Sequence, residues 1–539
     1  MVKPYIEGKL RKSILKSQIS NDIATFAGGL NTYVDKAFID ADQLPYCINM
    51  TMTQPPMIRT RDSRQTIVDA MIGDSWTEGT ILNMWAYNDK LAYIVIKSGD
   101  TVRLKKIRFD NPNYVVTNLQ ELQNAPEYYM CYANTSVTSY LYVTSDYEKI
   151  KITIDFNGEH DVIVERNDNY RGPCAFHKGR MFFREYELTD IFGNRKPTNR
   201  IAYSNYLDFE NFTPGYDGDI YSTAGDFFVT SHMGDITALR SFDDKLMVFC
   251  EHSIHALYGD SGMLENENHF QLVDINNTVG TLKDRYVTVG GGRLFWYGDD
   301  KQIYEFTGSY INMISRPTEE NTGGIDNIFD DELQPATLSA SSNHLYVDCT
   351  RNYMFVYDIY NKVWWCEDGG FASITNYSHD THHLLVATKR SDVLKTDVYP
   401  NAGFGSDTVY NFDTGVAEHK PIQYTFCTRV YGADGAAERK TLSKIHFQAV
   451  ATANVFISDV WSNWDPWHDG GTMSRAVQIG TLRSVANTGD VMTYNDEQYE
   501  QQECIVEKMF AERVNTFQIA VAGYGLSKFY LMKREWRVS

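Results

Sequence analysis

The sequence predicts an all-β protein, a β-propeller of six to eight blades followed by a C-terminal β-sandwich, and three observations carry that prediction. The first is composition: 36 Tyr, 28 Phe and 9 Trp in 539 residues, side chains that favour pleated, half-buried strands over helices. The second is a repeated unit of strand, polar turn and aromatic-rich strand, whose turns recur about every 48 residues. The third is a change of rhythm near residue 420, after which apolar and polar residues alternate along short runs, the pattern of strands with one buried face. A chain of this length exceeds what one core can serve, so more than one domain is expected.

Taken in order, residues 1–20 read as a basic N-terminal arm. Lys3, Lys9, Arg11, Lys12 and Lys16 fall there, against a net charge of −20 for the whole chain, and such a segment suits docking to a partner. The propeller is placed at 21–415. Its turns are centred at 89, 137, 178, 244, 292, 343 and 380, as in Asn88-Asp89-Lys90, Lys178-Gly179, Asp243-Asp244-Lys245 and Gly290-Gly291-Gly292. Propeller blades repeat at roughly 40–50 residues because each is a four-stranded meander that needs neighbours to bury its faces. The runs 345–347, 353–358 and 362–366 show such a meander directly. The widest gap, from 178 to 244, is assigned to a long loop or insertion near 190–220, where Asn, Pro, Gly and Asp are frequent. Residues 416–539 form the sandwich, on the alternating runs 422–426, 443–447, 516–521 and 529–532.

Several functions are disfavoured by the same residues. No segment approaches the ~18 consecutive apolar residues of a membrane helix, and Met1-Val2-Lys3-Pro4 does not open a signal-peptide apolar stretch, so the chain is expected to be made and kept in a cytosol. The eight cysteines are scattered, without a C-x-x-C pair, and read as small core residues. A strongly acidic chain is a poor grip for phosphates. Gly259-Asp260-Ser261-Gly262 copies the short string around the serine of chymotrypsin-like proteases, but it follows a blade strand and no G-x-S-x-G elbow occurs, so it reads as a turn. His379-Asp380-Thr381-His382-His383 has the residue types of a metal site, yet adjacent histidines on a strand face opposite ways, and it too reads as a turn.

Acidic loops such as Asp217-Gly218-Asp219 and Asp330-Asp331-Glu332 leave room for calcium, but among 70 acids no pair stands out as a glycosidase acid and base. The densest aromatic string holds Trp461, Trp464 and Trp467. It reads as a surface packed on a neighbouring subunit or on the sandwich core, with a sugar-stacking platform as the alternative. The candidate interface residues are therefore Lys9, Arg11, Lys12, Lys16, Trp461, Trp464 and Trp467. No catalytic residue, cofactor or metal is predicted, and the chain is expected not to be an enzyme.

Taken in sequence, certain strings resemble a known family. Phe26-Ala27-Gly28-Gly29-Leu30-Asn31-Thr32, then Leu44-Pro45-Tyr46-Cys47-Ile48-Asn49-Met50 and Ile58-Arg59-Thr60-Arg61, is followed by Asn199-Arg200-Ile201-Ala202-Tyr203-Ser204-Asn205 and Asp208-Phe209-Glu210-Asn211-Phe212. Next come Gly234-Asp235-Ile236-Thr237-Ala238-Leu239, Val279-Gly280-Thr281, Arg293-Leu294-Phe295-Trp296-Tyr297 and a close running from Arg513-Val514-Asn515 to Trp536-Arg537-Val538. The set is similar to the β-propeller tail proteins of short-tailed bacteriophages, called nozzle, tail-tube B or packaged-DNA stabilisation proteins, with Tyr203 where that family often has Trp. The resemblance covers nearly the whole chain, and its specificity lies in the order of the strings, each of which is structural.

The resemblance implies a structural virion protein of the phage tail, made in the host bacterial cytoplasm. Its subunits would form a ring, commonly of six, below the portal and adaptor (head-tail connector) proteins and beside tail fibres or spikes. Genomic double-stranded DNA would be retained and then pass through without sequence-specific binding. Two other readings stand beside it, a carbohydrate-binding or receptor-binding propeller of the tail and a cellular propeller acting as an interaction scaffold.

Overall fold

The structure, a computed structural model, describes residues 19–538 apart from connecting segments, the longest of which are 67–78, 260–269, 463–476 and 484–501. Seven antiparallel meanders follow one another along the chain, at 80–122, 129–165, 170–228, 236–276, 287–313, 335–368 and 373–396. In the first six, four strands pair in sequence order. The seventh supplies only Ser373–Asn376, Leu384–Ala387 and Val393–Thr396, and its fourth strand is Arg64–Thr66, from ahead of the first blade, with Leu394 opposite Thr66 and Thr396 opposite Arg64. The protein is a seven-bladed β-propeller closed by a strand from the other end of the domain. Among the described residues there is no α-helix.

All seven sequence turns fall at the same place, between the first and second strands of successive blades. Two of them show why their residues were visible. Lys178 and Gly179 have φ of 46° and 74°, and Gly291 and Gly292 have φ of 57° and 69°. Positive φ at both central positions is the type I′ hairpin, whose twist matches the flanking strands.

Blade stacking explains the aromatic load. The middle strands Lys245–Cys250, His344–Cys349 and Tyr353–Asp358 are buried at every position, because a blade is covered on both faces by its neighbours. Tyr142, Met181 and Phe183 fill the space between blades 2 and 3, Phe182, Leu239 and Val248 that between blades 3 and 4, and Phe249, Leu294 and Trp296 that between blades 4 and 5. The outermost strands are wetter, as in Gln271–Asn276, where no residue is buried.

Apart from a two-stranded parallel ladder of Gly29–Leu30 with Gln43–Leu44 and a hairpin added to blade 7, the remaining strands form two sheets. One has the order Tyr46–Ile48, Gln423–Cys427, Gln518–Tyr524, Phe456–Ser462, Val477–Arg483. The other runs Gln502–Met509, Lys440–Ala451, Ser527–Val538, Met57–Thr60, Met50–Gln54, with Ile19–Ala24 also paired to Ser527–Val538. They meet through Phe529, whose ring lies 5.0 Å from that of Phe426 and 6.0 Å from that of Tyr424. One buried cluster runs from this interface through Met50 and Ile58 to Trp364, Trp365 and Cys366 of blade 6.

Three boundaries differ from the sequence reading. The propeller starts with its closing strand Arg64–Thr66, and its first blade at Thr80, rather than at 21, because Ile19–Ala24, Tyr46–Ile48 and Met57–Thr60 pair with the C-terminal sheets, as Thr425 with Ile48 and Phe529 with Ile58. Alternation reveals a strand but not its sheet. The stretch near 190–220 is a loop only in part: Arg195–Tyr203 is the third strand of blade 3, and Pro197 is tolerated there because the register slips between Arg184 and Tyr186 opposite it. The division at 415/416 cuts the hairpin of Ser406–Asn411 and Val416–Pro421, which extends the sheet of blade 7.

Candidate functional site in the channel and the ring closure

The first strand of each blade faces the propeller axis, and Asn83, Met130, Ala175, Ser241, Thr288, Ser339 and Thr375, one from each blade, line a common cavity of about 370 Å³. The polar groups there join blades to one another. Ala86 donates its N–H to Thr375 Oγ1 at 3.1 Å and Asn376 donates its N–H to Ser339 Oγ at 2.9 Å, linking blades 1, 7 and 6. His177 Nδ1 and Ser241 Oγ lie 2.8 Å apart across blades 3 and 4. Arg240 reaches from blade 4 to grip both carboxylate oxygens of Asp284, ahead of blade 5, at 2.7 and 2.8 Å, a bidentate pairing.

One carboxyl at this level sits apart. Glu127, ahead of blade 2, has Oε1 buried without a hydrogen-bond partner and 4.0 Å from Arg285 Nε. Burial first, then the charge of Asp284, pushes its pKa up to about 7, against the opposite pull of Arg285 and Lys283.

A second constellation closes the ring. Arg61 is buried and donates six hydrogen bonds: Nε to Asn49 Oδ1 (2.9 Å) and Asp368 Oδ1 (2.7 Å), Nη1 to Asp62 O (2.9 Å) and Asp407 Oδ1 (2.9 Å), and Nη2 to Asp368 Oδ2 (3.2 Å) and Asp407 Oδ2 (2.6 Å). Arg64, on the closing strand, donates to Asp368 Oδ1 at 2.8 Å and Glu367 Oε2 at 3.0 Å. The two arginines thus fasten the closing strand to the edge of blade 6 and to the hairpin at 406–421. Burial alone would raise the pKa of Asp368, but Arg61 and Arg64 hold it well below the usual carboxylate range.

Blade 4 carries a serine-histidine-aspartate chain that the sequence did not reveal. Ser253 Oγ lies 2.8 Å from His255 Nε2, and His255 Nδ1 lies 2.8 Å from Asp274 Oδ1. The connectivity matches a hydrolase triad. Ser253, however, has 0 % of its surface exposed, so no carbonyl can reach its hydroxyl, and the chain serves to tie the turn before the third strand to the outer strand of the blade.

Of the sequence-predicted site residues, Trp461 alone lies among the described ones. Lys9, Arg11, Lys12, Lys16, Trp464 and Trp467 lie outside the described residues, as does His379-Asp380-Thr381-His382-His383. Trp461 is on the strand Phe456–Ser462, with its backbone opposite Gln478 and Gln518. Among the described residues no group of three or more His, Cys, Asp or Glu side chains is placed to hold a metal ion, and no helix is long and apolar enough to cross a membrane.

The strings that carried the resemblance find structural uses. Gly29 has φ +72° and an added Cβ would lie 3.0 Å from Trp364 O. Asn49 and Arg61 belong to the closure. Asn205 Oδ1 accepts from the backbone N–H and hydroxyl of Thr223 at 3.1 and 2.9 Å, pinning the loop ahead of the fourth strand of blade 3. Phe209 and Phe212 plug the interface of blades 2 and 3.

No family model matches the chain, and no curated protein matches it. Among solved structures, similar ones include the WD40 repeats of RRP9 (7% identity, TM-score 0.38, covering 62% of this chain and 98% of that one). Apo AztD from Citrobacter koseri is similar at 9% identity and TM-score 0.36, covering 63% and 88% of the two chains. BamB from Moraxella catarrhalis follows at 11% identity and TM-score 0.31, covering 58% and 82%. The propeller assignment rests on the seven sheets themselves.

Proposed function

We propose that this chain is a structural subunit of a short phage tail, assembling into a ring below the portal and adaptor that retains the packaged genome and lets it leave. The observation that carries the reading is the ordered set of strings shared with that family, several of which hold the propeller closed or pin its blades. Its polar machinery, from the Arg61 closure to the Arg240–Asp284 pair, is spent on holding elements together.

The centre of the propeller is lined by residues from all seven blades, bonded across blades as Ala86 with Thr375, Asn376 with Ser339 and His177 with Ser241, so in this reading the conduit lies between subunits rather than along one propeller's axis. Six copies at −20 each would surround it with acid, which repels phosphate and lets DNA slide.

The test is native mass spectrometry with negative-stain imaging of the purified chain, alone and with candidate adaptor proteins. A closed ring of about six subunits, formed spontaneously or on adding an adaptor, is the expected result. A monomer that persists in both conditions would overturn the proposal.

A further inference from the structure

The wall of the axial cavity holds a guanidinium that no hydrogen bond to a described residue secures. Arg285 lines that cavity from the short 3-10 turn Asp284–Tyr286, which packs on the first strand of blade 6, Pro335–Ala340. Its Nε is buried without a hydrogen-bond partner, 4.0 Å from Glu127 Oε1. The side chain as a whole is 29 % exposed, and its two terminal nitrogens are not among the buried atoms. The edge of the fork that faces away from Glu127 is therefore the open one. Asp284, next in sequence, gives both carboxylate oxygens to Arg240 at 2.7 and 2.8 Å, which leaves Arg285 without it.

The rest of the wall offers donors rather than acceptors. Thr375 Oγ1 accepts the N–H of Ala86 and Ser339 Oγ accepts the N–H of Asn376. A hydroxyl has one proton to give, so each of these has its O–H left for a ligand. Lys283, two residues before Arg285, adds a second cation to the same turn, its Nζ 5.5 Å from the centre of the Tyr286 ring. In a chain of net charge −20, this part of the channel carries two cations faced by Glu127. Burial first, then Asp284, pushes the pKa of that carboxyl up to about 7, so at neutral pH it holds less than a full charge.

We propose that the axial cavity binds a small oxyanion, a carboxylate or a phosphate, gripped by the open edge of the Arg285 guanidinium, with the Ser339 and Thr375 hydroxyls as further donors. The planar fork of arginine matches two oxygens of such a group at once. A cationic ligand would meet Arg285 and Lys283, and an apolar one would desolvate the guanidinium and return no hydrogen bond. The cavity, about 370 Å³, falls within the range of about 300–1,000 Å³ of small-molecule sites. One chain supplies the whole site, so the inference does not depend on the tail reading or on ring assembly.

The test is isothermal titration of the full chain with inorganic phosphate and, separately, with malonate, in sodium chloride at matched ionic strength. Saturable binding of one anion per chain is expected, and the tighter of the two tells a tetrahedral from a planar ligand group. Arg285→Met weakens it about tenfold or more, the scale of a lost charged hydrogen bond. Glu127→Gln, which removes the opposing carboxylate, tightens it several-fold at pH 8, a gain that a poorly folded variant would not give. Neither anion saturating the wild type at millimolar concentration, Arg285→Met binding as tightly as the wild type, or Glu127→Gln binding more weakly would overturn the proposal.

Discussion

Replacing Arg61 with Met is expected to loosen the propeller at its seam. The guanidinium is buried, its side chain 2 % exposed, and it gives two hydrogen bonds to each of Asp368 and Asp407, with one each to Asn49 and the Asp62 carbonyl. Removing one member of a buried ionic network costs about 3–5 kcal/mol, because its partners stay behind uncompensated. Asp368 keeps Arg64 and is itself 44 % exposed, so water screens part of its loss, whereas Asp407, 18 % exposed, depends more on Arg61. The lower end applies, about 3 kcal/mol. Urea unfolding followed by tryptophan fluorescence measures it.

The explanation has a second arm. If stranded carboxylates cause the loss, Arg61→Met combined with Asp407→Asn recovers part of it, since Asp368 keeps its pairing with Arg64. The pH dependence has a definite sign, because the folded Asp368 has a pKa below its ordinary value of 3.8. Its contribution is whole above that ordinary value and is lost as pH falls through the depressed folded one. A single variant losing under about 1 kcal/mol, or a double variant no more stable than the single, would refute the reasoning, the threshold being the scale of an exposed ion pair.

Two further outcomes follow from the same geometry. Glu127, raised from 4.5 to about 7, binds a proton more tightly folded than unfolded, so wild-type stability falls as pH rises between those values and levels off above. Glu127→Gln removes that slope and gains about 2–3 kcal/mol at pH 8 relative to pH 4.5; an equal wild-type-to-variant difference at both pH values rules the placement out. At Gly280 an added Cβ would stand 2.1 Å from Cys250 O and 2.6 Å from Glu251 C and His252 N, all backbone atoms that cannot swing aside. Gly280→Ala should therefore destabilise by about 1–3 kcal/mol or more, read by thermal melting, and a wild-type melting temperature would show that the blade 4 turn is not held where described.

The sequence by itself determined what is local. A hairpin turn with Gly or Asp at positive φ flanked by aromatic strands is written within about ten residues, so each blade announced its first hairpin and the count could be bracketed. Alternation after residue 420 announced strands of the sandwich for the same reason. Candidate sites fared differently: Trp461 was visible as an aromatic, and Arg61 as part of a string, but neither residue carries the identity of its partner.

Only the tertiary structure decided the pairings between distant segments. Arg64–Thr66 completes blade 7 beside Val393–Thr396, Ile48 faces Thr425, and Arg61 meets Asp368 and Asp407 across more than 300 residues. The Ser253–His255–Asp274 chain is of the same kind. Period and turn chemistry fix which face of a strand is buried, but any edge strand offers the same row of N–H and C=O groups. Which edge it takes is settled by the packed whole, through buried anchors such as Trp364 and Arg61.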